Sequence, residues 1–71
     1  MNTRPGTKFV HEGHYAAEVE VRWIDSENGW SPYLSLEDAR KLDQVREALR
    51  TGDLTTATQL AQVYQLTPVA P

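Results

Sequence analysis

Apolar and polar residues alternate through residues 15–24, and this pattern constrains the fold more than any other feature of the 71-residue chain. The even positions of the segment are mostly charged, whereas the odd positions are Tyr15, Ala17, Val19, Val21 and Trp23. Successive side chains of a β-strand point to opposite faces, so a period of two predicts a strand with one face in a core. The acidic even face is expected to meet water.

A turn signal precedes this strand. The glycine of His11-Glu12-Gly13 can take the left-handed conformation that closes a three-residue hairpin loop. Such a loop would set Phe9 opposite Tyr15, so both aromatic side chains are predicted on the core face of the sheet.

A second turn signal follows the strand. Both residues of Asn28-Gly29 tolerate positive φ, which is typical of a two-residue hairpin turn. This turn predicts a third strand, in which Leu34 pairs with Trp23 and Leu36 pairs with Val21. The apolar face then continues from the middle strand into the third, which favours a three-stranded antiparallel meander.

Two helices are predicted after the meander. Ser35, followed three residues later by Asp38, resembles a capping box, and Gly52 is a typical C-terminal stop for the first helix. Asp53 is expected to cap a second helix over residues 54–66, and so short a link between helices implies an αα-hairpin.

The predicted fold class is therefore α+β: a three-stranded antiparallel β-meander followed by an αα-hairpin packed on one face, in the order βββαα. Residues 1–71 are expected to form one small domain, with residues 1–6 and 67–71 flexible. A chain of this length buries only about 60% of its unfolded surface, so a partner subunit would help to stabilise it. The expected core residues are Val19, Val21, Trp23, Leu34, Leu42, Val45, Leu49, Leu54, Leu60 and Tyr64.

Few residues of the chain suit catalysis. It contains no cysteine, no glycine-rich phosphate loop and no strained nucleophile turn. His11 and His14 could approach one another across a hairpin loop, but two imidazoles make only half of a metal site. We therefore expect a protein that is not an enzyme, without catalytic residues, cofactor or metal.

Charge and hydropathy narrow the range of partners. The formal net charge is -3, and the predicted first helix carries as many acidic as basic residues, which argues against direct binding of nucleic acid. No segment has the ~20 apolar residues of a membrane span, and no apolar run of signal-peptide length follows Met1. The expectation is a cytoplasmic protein of bacterial type that does not bind a membrane.

Residues 54–71 contain no charged side chain, although 24% of the chain is charged. Interface cores are depleted in charge, so this segment is predicted to contact a protein partner or another copy in a possible homodimer. The alternatives are chance in a short segment, or a tail that folds back on the helix. The candidate partner-binding residues are Trp30, Tyr33, Thr55, Gln59 and Gln62.

The run GWSPYLSLEDARKLDQVREALRTGDLTTATQLAQVYQLTPVA resembles a group of small uncharacterised bacterial proteins, over roughly residues 15–70. This resemblance implies no activity, because no function is attached to that group. More loosely, the ENGW hairpin and the helix that begins SLEDA resemble HicB-type antitoxins, which pair an antiparallel sheet with a helix and neutralise a small ribonuclease. The chain differs from those antitoxins because a second helix is predicted. Their later strand and DNA-binding element are not predicted here. No functional residue is carried over.

Three functions follow as hypotheses. The first is a non-catalytic module that acts through protein–protein interaction or self-association. The second is an antitoxin-like regulator that neutralises a small toxin partner. The third is a small ligand or metal carrier that uses His11, His14 and the region of Trp23 and Trp30.

Overall fold

The computed structural model describes residues 2–27, 29 and 31–70. The elements are β1 (Thr3–Glu12), β2 (Tyr15–Ile24), β3 (Tyr33–Leu34), α1 (Leu36–Thr51), α2 (Leu54–Leu60) and β4 (Gln62–Gln65). Strand β2 is central and pairs antiparallel with β1 along one edge and with β3 and β4 along the other. The fold is α+β, as predicted, with a fourth strand that was not predicted. Within the described ranges, neither helix has the length and apolarity needed to cross a membrane.

Strands β1 and β2 form a long hairpin whose register differs from the prediction. Glu12 pairs with Tyr15 across a two-residue turn, in which Gly13 has a φ of 58°. Phe9 lies opposite Glu18, and its predicted core position is wrong, since its side chain is 70% exposed. Val10 is buried instead, because a shift in register by an odd number of residues moves side chains to the opposite face.

Residues 3–6, expected in a flexible lead-in, lie in β1. The backbone of even-numbered β1 residues faces β2, in line with the 3.0 Å hydrogen bond from the N–H of Asp25 to the carbonyl oxygen of Asn2. The backbone of odd-numbered residues faces the outer edge of the sheet. Pro5 is odd-numbered, so its missing N–H removes no bond between β1 and β2.

The third strand is present but short. Trp23 pairs with Leu34 as predicted, whereas Leu36 begins α1 and is not paired with Val21. The predicted Asn28-Gly29 turn lies partly outside the described residues; Gly29 has a φ of 73°.

Helix α1 begins and ends where the sequence predicts. The side chain of Ser35 accepts a hydrogen bond from the N–H of Asp38 at 3.1 Å. Gly52 has a φ of 79°, and its N–H reaches the carbonyl oxygens of Ala48 and Leu49. Both ends depend on neighbouring residues alone, which is why they could be predicted.

The predicted αα-hairpin is not confirmed, and the second helix is shorter than expected. Helix α2 ends at Leu60, and Gln62–Gln65 form β4, which pairs with residues 15–18 of β2. Threonines weaken the helix propensity of α2, whereas Val63 and Tyr64 favour a strand. Pairing with β4 also gives the backbone of β2 hydrogen-bond partners that the backbone of a helix, already bonded within itself, could not supply.

The core lies between the helices and one face of the sheet, which we call the core face. Its buried side chains are Val10, Ala17, Val19, Val21, Val45, Ala48, Leu49 and Ala57. The predicted core residues that are only half-buried against them are Trp23, Leu34, Leu42, Leu54 and Leu60. Tyr64, also predicted in the core, is 46% exposed on the opposite face of the sheet.

Replacing Leu49 tests the position of the core. Leu49 is 3% exposed, so Leu49→Ala leaves a cavity and should lower the free energy of unfolding by about 2–4 kcal/mol. Leu36, in the same helix, is 66% exposed, and Leu36→Ala should change stability by less than about 0.5 kcal/mol. Urea denaturation measures both variants, and equal losses would contradict the packing described here.

The carboxylate of Asp53 makes stability depend on pH. It accepts hydrogen bonds from the hydroxyl of Thr56 at 2.7 Å and from the N–H of Thr56 at 3.1 Å, and these bonds lower the pKa of Asp53 below its ordinary 3.8. Because the pKa is lower in the folded chain, ionised Asp53 stabilises the fold above pH 3.8, and this contribution is lost as the pH falls through the lowered value.

Asp53→Asn keeps an oxygen acceptor but does not titrate. The difference in free energy of unfolding between the two proteins should therefore shrink as acid protonates Asp53. Urea titrations at neutral pH and at a pH below the carboxyl range measure it. A difference that stays constant with pH would show that the charge of Asp53 does not stabilise α2.

Candidate functional site

The face of the sheet opposite the core face is left uncovered by the helices, and we call it the open face. None of the described residues on this face is buried. Its residues are Thr3, Pro5, Thr7, Phe9, His11, Ala16, Glu18, Glu20, Arg22, Ile24, Tyr33, Gln62 and Tyr64.

Exposed apolar side chains lie together at one end of the open face. Ala16 pairs with Tyr64 of β4 on one side and with His11 of β1 on the other, so Phe9 lies diagonally across from Ala16. Leu66 continues the pairing of β4, since its N–H donates to the carbonyl oxygen of His14 at 2.6 Å. Phe9, Tyr64 and Leu66 are 70%, 46% and 42% exposed. With Ala16, which lies between Phe9 and Tyr64 in the register, they form what we call the aromatic cluster.

Carboxylates lie beside the aromatic cluster. Glu18 accepts a 3.4 Å hydrogen bond from the hydroxyl of Tyr64, so the phenol group lies beside this carboxylate. Glu20 is the next residue along this face of β2, and in the described part of the chain its carboxylate has no hydrogen-bond or ion-pair partner. Glu18, Glu20 and Tyr64 line one shallow hollow, so apolar and acidic groups share a surface.

Helix α1 closes a gap in the sheet beside this hollow. Along one edge of β2, residues 19–22 lie between the segments paired with β4 and β3. There the side chain of Asp38 accepts from the N–H of Arg22 at 2.8 Å, and the ammonium of Lys41 donates to the carbonyl oxygen of Glu20 at 3.0 Å. Two side chains of α1 thus form hydrogen bonds with the backbone of β2 where no strand pairs with it in the described residues. Asp38 also belongs to the capping motif at the start of α1.

The partner-binding residues predicted from the sequence are only partly brought together. Gln59 and Gln62 both line the hollow, whereas Thr55 does not. Tyr33 lies at the other end of the open face, paired with Ile24, and is 50% exposed. Trp30 lies outside the described residues.

Phe9 was missed because adjacent apolar residues in β1 cannot both face the core. The sequence offers Phe9 and Val10 as alternatives, and only the hairpin register chooses between them. The signal for the observed register is Gly13. Glycine at the first position of a two-residue turn is typical of the type II′ hairpin, and a Gly13-His14 turn places Val10, not Phe9, on the core face.

Two of the groups named in the carrier hypothesis, His11 and Trp23, make contacts within the chain. A ring nitrogen of His11, Nε2, lies 3.0 Å from the carbonyl oxygen of Gly13 in the adjacent turn. Trp23 packs against the core, with the ammonium of Lys8 5.7 Å from the centre of its ring. In the part of the chain that the structure describes, no group of three or more His, Asp or Glu side chains could hold a metal ion.

Comparison of the chain with protein-family models, curated proteins and solved structures found no match.

Removing the carboxylate of Asp38 tests how the gap is closed. Asp38→Ala should expose the amide of Arg22 and speed its hydrogen exchange by about tenfold or more, the factor expected for a lost hydrogen bond to a charged group. Glu37→Ala is the matched control, because it removes a carboxylate from the same helix turn. Exchange measured by NMR that is equally fast in both variants would rule out this role for Asp38.

Proposed function

We propose that this chain is a non-catalytic interaction module that binds a partner protein through the aromatic cluster. The observation that carries the proposal is that Phe9, Tyr64 and Leu66 are exposed together on an uncovered face of the sheet. Exposed apolar side chains are costly to leave in water, and aromatic side chains are common anchors of protein interfaces. The sequence predicts a contact surface in residues 54–71; the proposal keeps Tyr64 and Leu66 of that segment and adds Phe9 of β1.

The lack of charge in residues 54–71 supports a contact surface at the aromatic cluster only in part. Ala57 and Val63 pack with the core, so some of the charge depletion reflects packing within the chain. Tyr64 and Leu66 are the apolar members of the segment that extend the open face.

The neighbouring carboxylates define the chemistry of the partner. Glu18 and Glu20 lie beside the cluster, so a complementary surface would have an apolar centre bordered by Lys or Arg. Such charges steer association and select partners, while the desolvated aromatic centre provides most of the affinity.

The test is to exchange apolar side chains for serine. The double variant Phe9→Ser/Tyr64→Ser removes two exposed aromatic groups and should keep the fold, because neither side chain belongs to the buried core. The partner is captured from extracts of the native cell on the immobilised wild-type chain and then purified. Calorimetry measures its affinity for the wild type and for the variants. We expect the double variant to raise Kd at least about tenfold.

Leu36→Ser is the control, since Leu36 is 66% exposed, close to the 70% of Phe9, but lies at the start of α1. It should bind as the wild type does. Unchanged binding by the double variant, with circular dichroism showing an intact fold, would refute the proposal.

An antitoxin-like regulator is the second candidate. The observation that favours it is the acidic row of Glu18 and Glu20, which suits a small basic toxin. The identity of the captured partner distinguishes the two candidates. A ribonuclease that the chain inhibits supports the antitoxin role, whereas a partner without toxic activity supports the interaction module and excludes the antitoxin role.

A further inference from the structure

The outer edge of β1 exposes a row of backbone hydrogen-bonding groups. They belong to the odd-numbered residues Thr3, Pro5, Thr7, Phe9 and His11, because the even-numbered residues bond to β2. In the part of the chain that the structure describes, no strand pairs with this edge. An edge strand of ten residues is long, and unpaired N–H and C=O groups form a template for another strand.

The chain exposes more surface than a compact monomer of its size. Its accessible surface is 5449 Å², whereas a protein of 8.0 kDa is expected to expose about 4,450 Å². The radius of gyration is 14.2 Å, against about 11 Å expected for 71 residues. The excess of on the order of 1,000 Å² is comparable to the roughly 800 Å² that each partner buries in a standard interface.

We propose that two copies of the chain pair antiparallel through the outer edges of β1, across a two-fold axis at Thr7. In this register, Thr7 of each copy faces Thr7 of the other, and the two residues exchange a pair of N–H···O=C bonds. Phe9 faces Pro5 of the other copy, so the N–H of Phe9 donates to the carbonyl oxygen of Pro5. The ring of Pro5 then packs against the exposed ring of Phe9 on the open face.

Charge selects this register over its neighbours. On the core face, Lys8 lies opposite Gly6 of the other copy. A shift by one pairing step in one direction sets Lys8 opposite Lys8, and a shift in the other direction sets Lys8 opposite Arg4. Like charges directly opposed across strands are destabilising, so only the Thr7-centred register of the three avoids them.

Gly6, which lies opposite Lys8 of the other copy in this register, has no side chain of its own and is covered by an indole. The indole of Trp23 covers Gly6 so closely that an added Cβ would lie 2.5 Å from the indole Nε1. A larger residue at position 6 would displace this indole, so Gly6 keeps the position opposite Lys8 of the other copy free of a second side chain.

The two-fold axis is perpendicular to the sheet, so both open faces lie on the same side of the dimer. Each aromatic cluster then gains Pro5 of the other copy beside Phe9. The pairing itself uses backbone groups at the edge and does not depend on the proposed binding of a partner protein.

Proline at the axis tests the pairing. The N–H of Thr7 faces outward and makes no bond to β2, so Thr7→Pro should leave the monomer folded while removing both axial hydrogen bonds. Sedimentation velocity from micromolar to millimolar concentration should show a dimer for the wild type and for the control Thr7→Ala. Thr7→Pro should raise the dimer dissociation constant about tenfold to a hundredfold.

Amide exchange of the wild type gives a second readout that needs no variant. The amides of Thr7, Phe9 and His11 should exchange about tenfold or more slowly at high than at low concentration, whereas Lys8 and Val10 should be protected at both. A monomer at every concentration would overturn the proposal. A dimer that tolerates Thr7→Pro, or whose odd-numbered β1 amides do not respond to concentration, would equally overturn it.

Discussion

The backbone of the central strand β2 needs hydrogen-bond partners along both edges, and the rest of the fold is arranged to supply them. One edge is paired along its whole length with β1. The other edge is completed by β4, then by side chains of α1, and then by β3. Asp38 and Lys41 of α1 therefore act as part of the sheet, and the helix that covers the core also closes the sheet edge.

The core that results from this arrangement is thin. In the described part of the chain, the buried apolar side chains are valine, alanine and leucine, with no aromatic residue among them. Small side chains let the helix and the sheet approach closely, and the shortest dimension of the molecule is 14 Å. The aromatic side chains of Phe9, Tyr33 and Tyr64 consequently lie on the surface, where they can take part in binding.

Both proposed interaction surfaces have the same physical origin. In the described part of the chain, the helices cover one face of the sheet and leave the other face open. Among the described residues, the outer edge of β1 also has no partner strand, because β3 and β4 both lie on the far side of β2. Pro5 and Lys8 limit which strands can add to this edge, and they still permit the Thr7-centred register between two copies.

The local signals of the sequence were sufficient for part of the fold. The alternation in β2 determines which of its faces is buried, and the ends of α1 follow from Ser35 and Gly52, because each feature depends only on residues near in sequence. The apolar character of Val63 and Tyr64 was visible, but whether they continue a helix or form a strand was not.

Only the tertiary structure decided the features on which the candidate site depends. The choice between Phe9 and Val10 for the core was made by the hairpin register, and β4 forms because residues 15–18 of β2 offer it backbone partners. Asp38 and Lys41 acquire their role from a gap in a sheet more than fifteen residues away in sequence. The sequence by itself thus determined the faces and ends of individual elements, while pairing between distant segments decided which side chains remained exposed, because pairing energy depends on the partner strand as well as on the residue.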